Sequence, residues 1–142
     1  MSDSASAART YESLQTGETA SFERTITDVD VGAFATFSGD TNELHTDAAY
    51  AKEASFRDTV VHGMLLGAFV SRVVGMQLPG RYSLLVKETL EFKKPVIVGD
   101  TITVRATITH KSDATRIVHL SIDIRKQDDV VAEGSVRVRV LQ

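Results

Sequence analysis

The chain has 142 residues, of which 42% are hydrophobic and 25% are charged, and its net charge is -3. This length suits one domain with a hydrophobic core, and these proportions exclude a disordered or collagen-like chain. The weakly acidic balance has no long run of one sign, so we predict no binding to nucleic acid or to an anionic membrane.

The chain has no cysteine, which excludes disulfides, thiolate metal sites and a cysteine nucleophile. A reducing compartment fits this composition, and a cytoplasmic location is the expectation. The start, "MSDSASAART", has neither the basic nor the apolar region of a signal peptide. We therefore predict a single domain over residues 1–142, in which residues 1–16 form a flexible tail.

The first elements are a strand at 19–25 and a helix that starts after Thr27. Thr27 and Asp30 have the spacing of a capping box, and Gly39 ends the pattern. The apolar stripe of this helix is predicted to consist of Val31, Phe34 and Phe37. A second helix is predicted at about 47–53.

A third helix is predicted at about 63–76, "GMLLGAFVSRVVGM". It is apolar on almost every face, which indicates that it is enclosed, and it is well short of the roughly 20 residues that span a bilayer. Small residues recur at every fourth position and predict a groove along one face: Gly63, Gly67, Ser71 and Gly75.

The C-terminal half alternates with period two, which predicts strands with one buried face. Three such segments are "DTITVRATIT", "RIVHLSIDIRK" and "VVAEGSVRVRV". A further strand, "YSLLVKETLEF", is predicted to bury Tyr82, Leu84, Val86, Leu90 and Phe92. Glu88 interrupts that pattern, either because the strand crosses from a covered to an uncovered region or because Glu88 lies near a site.

An antiparallel sheet of about five strands and one enclosed helix can bury each other if the sheet wraps around the helix. This is the hot dog architecture, an α+β fold. Such a sheet leaves an edge strand unpaired, and pairing with a second copy would cover it. We therefore expect a homodimer.

The loop "SGDTNELH" contains an acid and a base in one turn-forming segment. Gly39 permits a sharp exit from the first helix and Asn42 favours a turn, so Asp40 and His45 could reach a common point. A carboxylate and an imidazole there could exchange protons with one water molecule. The alternative is that Asp40 caps a helix and His45 is a surface histidine.

In "VVHGML", an apolar run meets the start of the enclosed helix at Gly63. A helix start presents free N–H groups, and a glycine there would let a substrate carbonyl approach them. The alternative is that Gly63 only permits tight packing between helix and sheet, and that His62 is a hydrogen-bonded structural histidine.

Other chemistries have weaker support. Asp40, His45, Asp47 and His62 lack the spacing of a metal site, so no metal is predicted. The chain has no serine nucleophile elbow, phosphate loop or dinucleotide fingerprint. The pair at 93–94, two lysines, is either an exposed strand end or a contact for a phosphorylated cofactor.

Taken together, "FSGDTNELHTD", "VVHGMLLGAFVS" and "LEFKKPVIVGDTITV" resemble the hydratase 2 family, the MaoC-like (R)-specific enoyl-CoA hydratases, over about 21–141. The resemblance implies that Asp40 and His45 are catalytic and that the Gly63 N–H polarises a thioester carbonyl. The sequence departs from the family pattern at Glu43, where proline or a small residue is usual.

Supporting residues follow from the same comparison. Ser71 matches a family position that supports the site from the helix, and we expect Asn42 and His62 to support it as well. The family further implies a hot dog homodimer that binds acyl-CoA partly between its subunits.

The implied reaction is reversible syn hydration of a trans-2-enoyl-CoA to an (R)-3-hydroxyacyl-CoA, which can supply polyhydroxyalkanoate monomers. It needs no cofactor, because coenzyme A is part of the substrate. The alternatives are a 3-hydroxyacyl-carrier-protein dehydratase of fatty-acid synthesis, a hot dog acyl-CoA thioesterase and a non-catalytic acyl-thioester-binding protein.

Overall fold

The computed structural model describes residues 5–142, which form five strands and four α-helices. The strands are β1 (Thr19–Thr25), β2 (Ser83–Phe92), β3 (Thr101–Ser112), β4 (Ile117–Lys126) and β5 (Asp129–Val140). The helices are α1 (Asp28–Ser38), α2 (Glu43–Thr46), α3 (Ala48–Glu53) and α4 (Gly63–Met76), and a short 3-10 helix at Tyr11–Ser13 precedes β1.

The five strands form one sheet in the order β1-β3-β4-β5-β2, and every neighbouring pair is antiparallel. The period-two pattern predicted the strands of the C-terminal half correctly, because their inward side chains are almost fully buried. In β3 the inward residues, each at most 1% exposed, are Ile102, Val104, Ala106 and Ile108.

The sheet packs around α4, which supplies the centre of the hydrophobic core. Val70 and Val73 have no exposed surface, and Leu66 is 3% exposed. Burying each of these side chains stabilises the fold by roughly 1.5–3 kcal/mol. The predicted α+β hot dog arrangement is therefore confirmed. No helix within residues 5–142 is long and apolar enough to cross a membrane.

The predicted boundaries of α1 are correct. Thr27 Oγ1 accepts a hydrogen bond from the Asp30 N–H at 3.2 Å, and Asp30 Oδ2 accepts one from the Thr27 N–H at 3.0 Å. Gly39 ends the helix with φ 79°, in the left-handed region that favours glycine. The chain therefore turns away sharply just before Asp40.

Phe37 does not belong to the buried stripe of α1, and the prediction for it is wrong. Its side chain is 91% exposed, whereas Val31 and Ala35 are buried. At 3.6 residues per turn, six positions rotate Phe37 about 120° away from Val31, so the two side chains cannot share a narrow face.

The second predicted helix is α3, and a further short helix, α2, precedes it. Asp47 has an extended backbone, with φ -125°, and interrupts the helical run. Its Oδ1 accepts hydrogen bonds from the N–H groups of Ala49 at 2.9 Å and Tyr50 at 3.2 Å, so it caps α3. The prediction of one helix at 47–53 therefore missed α2, which precedes it.

The predicted flexible tail at 1–16 is wrong where the chain is described; residues 1–4 lie outside the described residues. Ala7 exchanges backbone hydrogen bonds with the end of α4 and the turn that follows it. Tyr11 is 4% exposed and Leu14 is 1% exposed, and both pack in the main core. Two isolated apolar residues can anchor a segment without any periodic pattern.

The predicted inward face of β2 is wrong in the first half of the strand, whereas Leu90 in the second half packs against the core as expected. A register shift between Leu85 and Lys87 places Leu85 opposite the buried Val138 of β5. Leu84 and Val86, which were expected to face inward, are 51% and 53% exposed. Because β2 is an edge strand, these apolar side chains lie beside unpaired backbone groups.

Asp100 connects the segment before α4 to the sheet through ion pairs and a hydrogen bond. It is 4% exposed, accepts a hydrogen bond from the Ile97 N–H at 2.9 Å, and contacts the basic groups of Arg57 and Lys126. Ile97 in turn forms an isolated β-bridge with Val60. These contacts position the Val60 backbone for the site described next.

Candidate active site

Asp40 lies in the loop between α1 and α2, where hydrogen bonds fold the loop back on itself. The Asn42 N–H donates to Asp40 Oδ1 at 3.3 Å, and Ser38 Oγ accepts the Asp40 N–H at 3.1 Å. Asn42 Oδ1 also accepts the Leu44 N–H at 2.9 Å and caps α2. Asn42 therefore holds both the carboxylate and the helix that carries the histidine.

Glu43 is the first residue of α2. Proline is well tolerated at this position of a helix, because its missing N–H needs no partner there. A glutamate is compatible for a different reason, because the positive end of the helix dipole favours an acidic side chain. The departure of Glu43 from the family pattern therefore leaves α2 intact.

His45 is half-buried, and its ring is fixed by the segment before α4. Its Nδ1 lies 2.6 Å from the Val60 carbonyl oxygen. A carbonyl can only accept, so Nδ1 carries the hydrogen and Nε2 remains for another partner. The Val60 N–H also donates to the Leu44 carbonyl at 3.0 Å, so α2 and this segment hold each other.

His62 stacks directly on His45. The two rings are 3.9 Å apart at 23°, and the Phe34 ring lies 4.8 Å away from His62. His62 is 2% exposed, and its Nε2–H donates to the Asp40 backbone carbonyl at 2.9 Å. One buried side chain therefore contacts both Asp40 and His45.

Asp40, His45 and His62 offer polar atoms that all lie within 4.8 Å of one another. Their composition could suit a metal ion, but the stacked rings do not suit one. Lone pairs of two nearly parallel rings cannot converge on a point about 2.0–2.1 Å from both nitrogens. The arrangement instead favours proton transfer through a carboxylate and an imidazole.

The start of α4 faces the same region. Gly63 and His45 line one cleft of about 310 Å³, together with Phe92 and Lys94. A Cβ at Gly63 would lie 2.9 Å from Phe92 Cζ, which is too close for a side chain. Helix-to-sheet packing is therefore tight at Gly63, and an added side chain there would require the Phe92 ring to shift. The position of Gly63 in the cleft also puts the first turn of α4 near His45.

Ser71 is not brought into this group. It lies two turns beyond Gly63, about 12 Å along the helix axis, and is exposed. The groove predicted along the small residues is also not open at its start. The Phe92 ring covers Gly63 and the Glu88 carboxyl covers Gly67, while nothing lies within 4 Å of a Cβ at Gly75.

Two features of the site carry no signal in the sequence. One is the Val60 carbonyl that orients His45, and the other is the stacking of His45 on His62. Both depend on backbone geometry and on contacts between segments that are distant along the chain. A residue pattern does not report either of them.

Comparisons with known proteins identify the family. A family model described as "MaoC like domain" matches residues 12–129. The chain belongs to the MaoC-like domain family. The match includes Asp40, His45 and Gly63, so all three proposed functional residues of this MaoC-like chain lie inside the family domain.

Individual relatives cover most of this MaoC-like chain. An (R)-specific enoyl-CoA hydratase of Rhodospirillum rubrum is 36% identical over 130 residues, which are 92% of this chain and 90% of that protein. The unliganded R-hydratase PhaJ1 of Pseudomonas aeruginosa has a TM-score of 0.89 and 31% identity, covering 94% of this chain and 86% of that one.

A second solved structure is the (R)-hydratase from A. caviae involved in PHA biosynthesis. It has a TM-score of 0.88 and 35% identity, and the alignment covers 91% of this MaoC-like chain and 98% of that protein. The similarity therefore extends over the whole fold and is not limited to one motif.

Proposed function

We propose that this protein is an (R)-specific enoyl-CoA hydratase, a hydro-lyase that reversibly adds water to trans-2-enoyl-CoA and forms (R)-3-hydroxyacyl-CoA. The observation that carries the proposal is the grouping of the Asp40 carboxylate with the His45 imidazole, which lines one cleft with Gly63 at the start of α4. The similarity to (R)-specific hydratases supports the same reaction.

In the proposed mechanism, Asp40 accepts a proton from a bound water molecule while the water oxygen attacks C3. Negative charge develops on the thioester oxygen, where the Gly63 N–H and the positive end of α4 stabilise it. The proton taken up by Asp40 is then delivered to C2 by way of a water molecule bound at His45 Nε2, which returns Asp40 to its carboxylate form. Because both steps occur on the same face of the double bond, the addition is syn.

The protein surroundings prepare both groups for these steps. Nδ1 of His45 is occupied by the Val60 carbonyl, so Nε2 is the nitrogen that can hold water. His62 fixes the Asp40 backbone and supports the His45 ring. Since the bond changes are acid–base steps, we propose that the reaction needs neither a metal nor a redox cofactor.

The direct test is the loss of enoyl ultraviolet absorbance when purified protein meets crotonyl-CoA. Asp40→Asn and His45→Gln should each lower kcat by about 10²–10⁴-fold, the usual contribution of acid–base groups. Chiral separation of the product should give the (R) enantiomer. Full rates in both variants would refute the assigned roles.

Further assays on the same purified protein distinguish the hydratase from related activities. Release of free thiol from saturated acyl-CoA would indicate a thioesterase, and tight binding without turnover would indicate a non-catalytic protein. Comparing kcat/KM for crotonyl-CoA and for the crotonyl thioester of acyl carrier protein shows which acyl carrier the enzyme prefers. We expect the higher kcat/KM with crotonyl-CoA.

We propose that the protein acts as a homodimer that pairs through β2. Its exposed apolar residues, Leu84 and Val86, lie on an open edge of the sheet, and a second copy would cover them. Val86→Lys should convert the dimer to a monomer in sedimentation velocity. Val29→Lys, at a 74% exposed position on α1, is the control and should leave the dimer intact.

We further propose that the reaction supplies polyhydroxyalkanoate monomers in the cytoplasm. The support is the similarity to the A. caviae hydratase of PHA biosynthesis. Co-expression with a polyhydroxyalkanoate synthase, in a host without its own (R)-hydratase, should produce polymer. The Asp40→Asn variant should produce none, and equal polymer in both strains would contradict the proposal.

A further inference from the structure

Glu88 is an acidic residue on the inner side of β2. It lies opposite the buried Val136 of β5, so the two side chains share the face that packs on α4. Its Oε1 is inaccessible to solvent and has no hydrogen-bond partner in residues 5–142. Burial raises the pKa of the Glu88 carboxyl.

The carboxyl occupies the space that the small residues of α4 leave open. A Cβ at Gly67 would lie 3.4 Å from Glu88 Oε1 and 3.8 Å from Met64 Cε. A structural acid at such a position would normally have a donor, yet Oε1 has none within residues 5–142. The helix-to-sheet packing therefore does not explain why a carboxyl is present.

Glu88 lies one helical turn beyond the proposed carbonyl-binding position. Four residues separate Gly63 from Gly67, or about 6 Å along the axis of α4. Phe92 covers the first glycine and Glu88 covers the second. An acyl chain that extends along this face from a thioester carbonyl at Gly63 must therefore displace or pass the Phe92 ring first, and it then meets the Glu88 carboxyl.

We propose that Glu88 is a specificity-determining residue that closes the acyl pocket and selects short-chain enoyl thioesters such as crotonyl-CoA. This inference rests on the proposed hydratase function. A longer chain must either displace the carboxyl or pack against it, and an apolar chain offers a carboxylate no hydrogen bond. Pocket discrimination by single methylenes is about 10–200-fold in other enzymes, which is enough for this selection.

The test compares kcat/KM for crotonyl-CoA, 2-hexenoyl-CoA and 2-octenoyl-CoA in matched variants. In the wild-type protein, the ratio of octenoyl to crotonyl kcat/KM should be below about one tenth. Glu88→Ala removes both volume and charge and should raise that ratio at least about tenfold. Glu88→Gln keeps the volume and removes only the charge, so its ratio should lie between the two.

A control variant on the same strand separates this effect from a general change in β2. Glu91→Gln replaces a carboxylate whose side chain is 72% exposed, and its ratio should equal that of the wild type. Activity on crotonyl-CoA should stay within about threefold of the wild type in Glu91→Gln, because Glu91 is exposed and does not touch Asp40, His45 or Gly63.

An unchanged ratio in Glu88→Ala, or a wild-type ratio near one, would overturn the role of Glu88 while leaving the hydratase proposal standing. Absence of any turnover of crotonyl-CoA by the wild-type protein would refute both proposals. If Glu88→Ala does not fold, inhibition of the wild type and of Glu88→Gln by saturated acyl-CoA tests the role of Glu88 instead. Octanoyl-CoA should then inhibit the wild type more weakly than butyryl-CoA does. The ratio of the two inhibition constants, octanoyl-CoA to butyryl-CoA, should be smaller in Glu88→Gln than in the wild type. Equal ratios in the two proteins would reject the inference.

Discussion

Replacing His62 by phenylalanine tests whether this buried side chain positions the proposed catalytic pair. The substitution keeps an aromatic ring between His45 and Phe34 but removes the Nε2–H that donates to the Asp40 carbonyl at 2.9 Å. Water cannot easily take its place, because His62 is only 2% exposed. We therefore expect the free energy of unfolding to fall by about 1–3 kcal/mol.

The effect on catalysis should exceed the effect on stability. Without the hydrogen bond from His62, the loop that carries Asp40 is free to shift, and a misplacement of about 1 Å can cost on the order of 10²-fold in rate. The Michaelis constant should change by less than about threefold, because His62 touches the acid and the base and not the acyl-CoA in the proposed mechanism.

Initial rates of crotonyl-CoA hydration give kcat and KM, and urea denaturation gives the free energy of unfolding. His110→Phe, which alters an exposed histidine of β3, is the control and should match the wild type in both measurements. A folded His62→Phe protein with a wild-type kcat, or with a loss confined to KM, would refute the positioning role.

Two further substitutions test the packing around the site. Gly63→Ala places a methyl group 2.9 Å from Phe92 Cζ and should lower the free energy of unfolding by about 1–3 kcal/mol. The methyl group of Gly75→Ala meets nothing within 4 Å, so this variant should raise the free energy of unfolding by about 0.5–1 kcal/mol. Equal effects in urea denaturation would contradict this reasoning. Burial raises the pKa of Asp100, but its hydrogen bonds and basic neighbours outweigh burial and hold the pKa below its ordinary value. Its stabilisation should therefore be present above about pH 4, the range of an unfolded aspartate, and be lost as the pH falls through the lower folded-state pKa. Asp100→Asn should show a flatter acid dependence of unfolding, and an unchanged dependence would contradict the assignment.

The helices and strands with strong local patterns were predictable from the sequence. Period-two alternation identified the strands because each buries one face, and the apolar run at 63–76 identified α4 because it is enclosed. The capping box of Thr27 and the left-handed Gly39 also follow from local chemistry. These features depend on neighbours within a few positions of each other.

The errors have non-local causes. Leu14 lies in the core although its segment has no periodic pattern, since one apolar side chain can fill a space that other elements create. The register shift near Leu85 changes which residues of β2 face inward, and a bulge is defined only by pairing with β5. Phe37 was misassigned because residues spaced by three rotate progressively around a helix of 3.6 residues per turn, so the third residue of the series no longer lies on the buried face.

The sequence by itself determined the inventory of the proposed site, which is the carboxylate of Asp40, the imidazole of His45 and a helix start without a side chain at Gly63. Only the tertiary structure decided how these groups are held. The Val60 carbonyl selects the free nitrogen of His45, and His62 joins that ring to the Asp40 loop. The physical reason is that hydrogen bonds and ring contacts depend on distances between segments, which the folded sheet and helix set and no local pattern encodes.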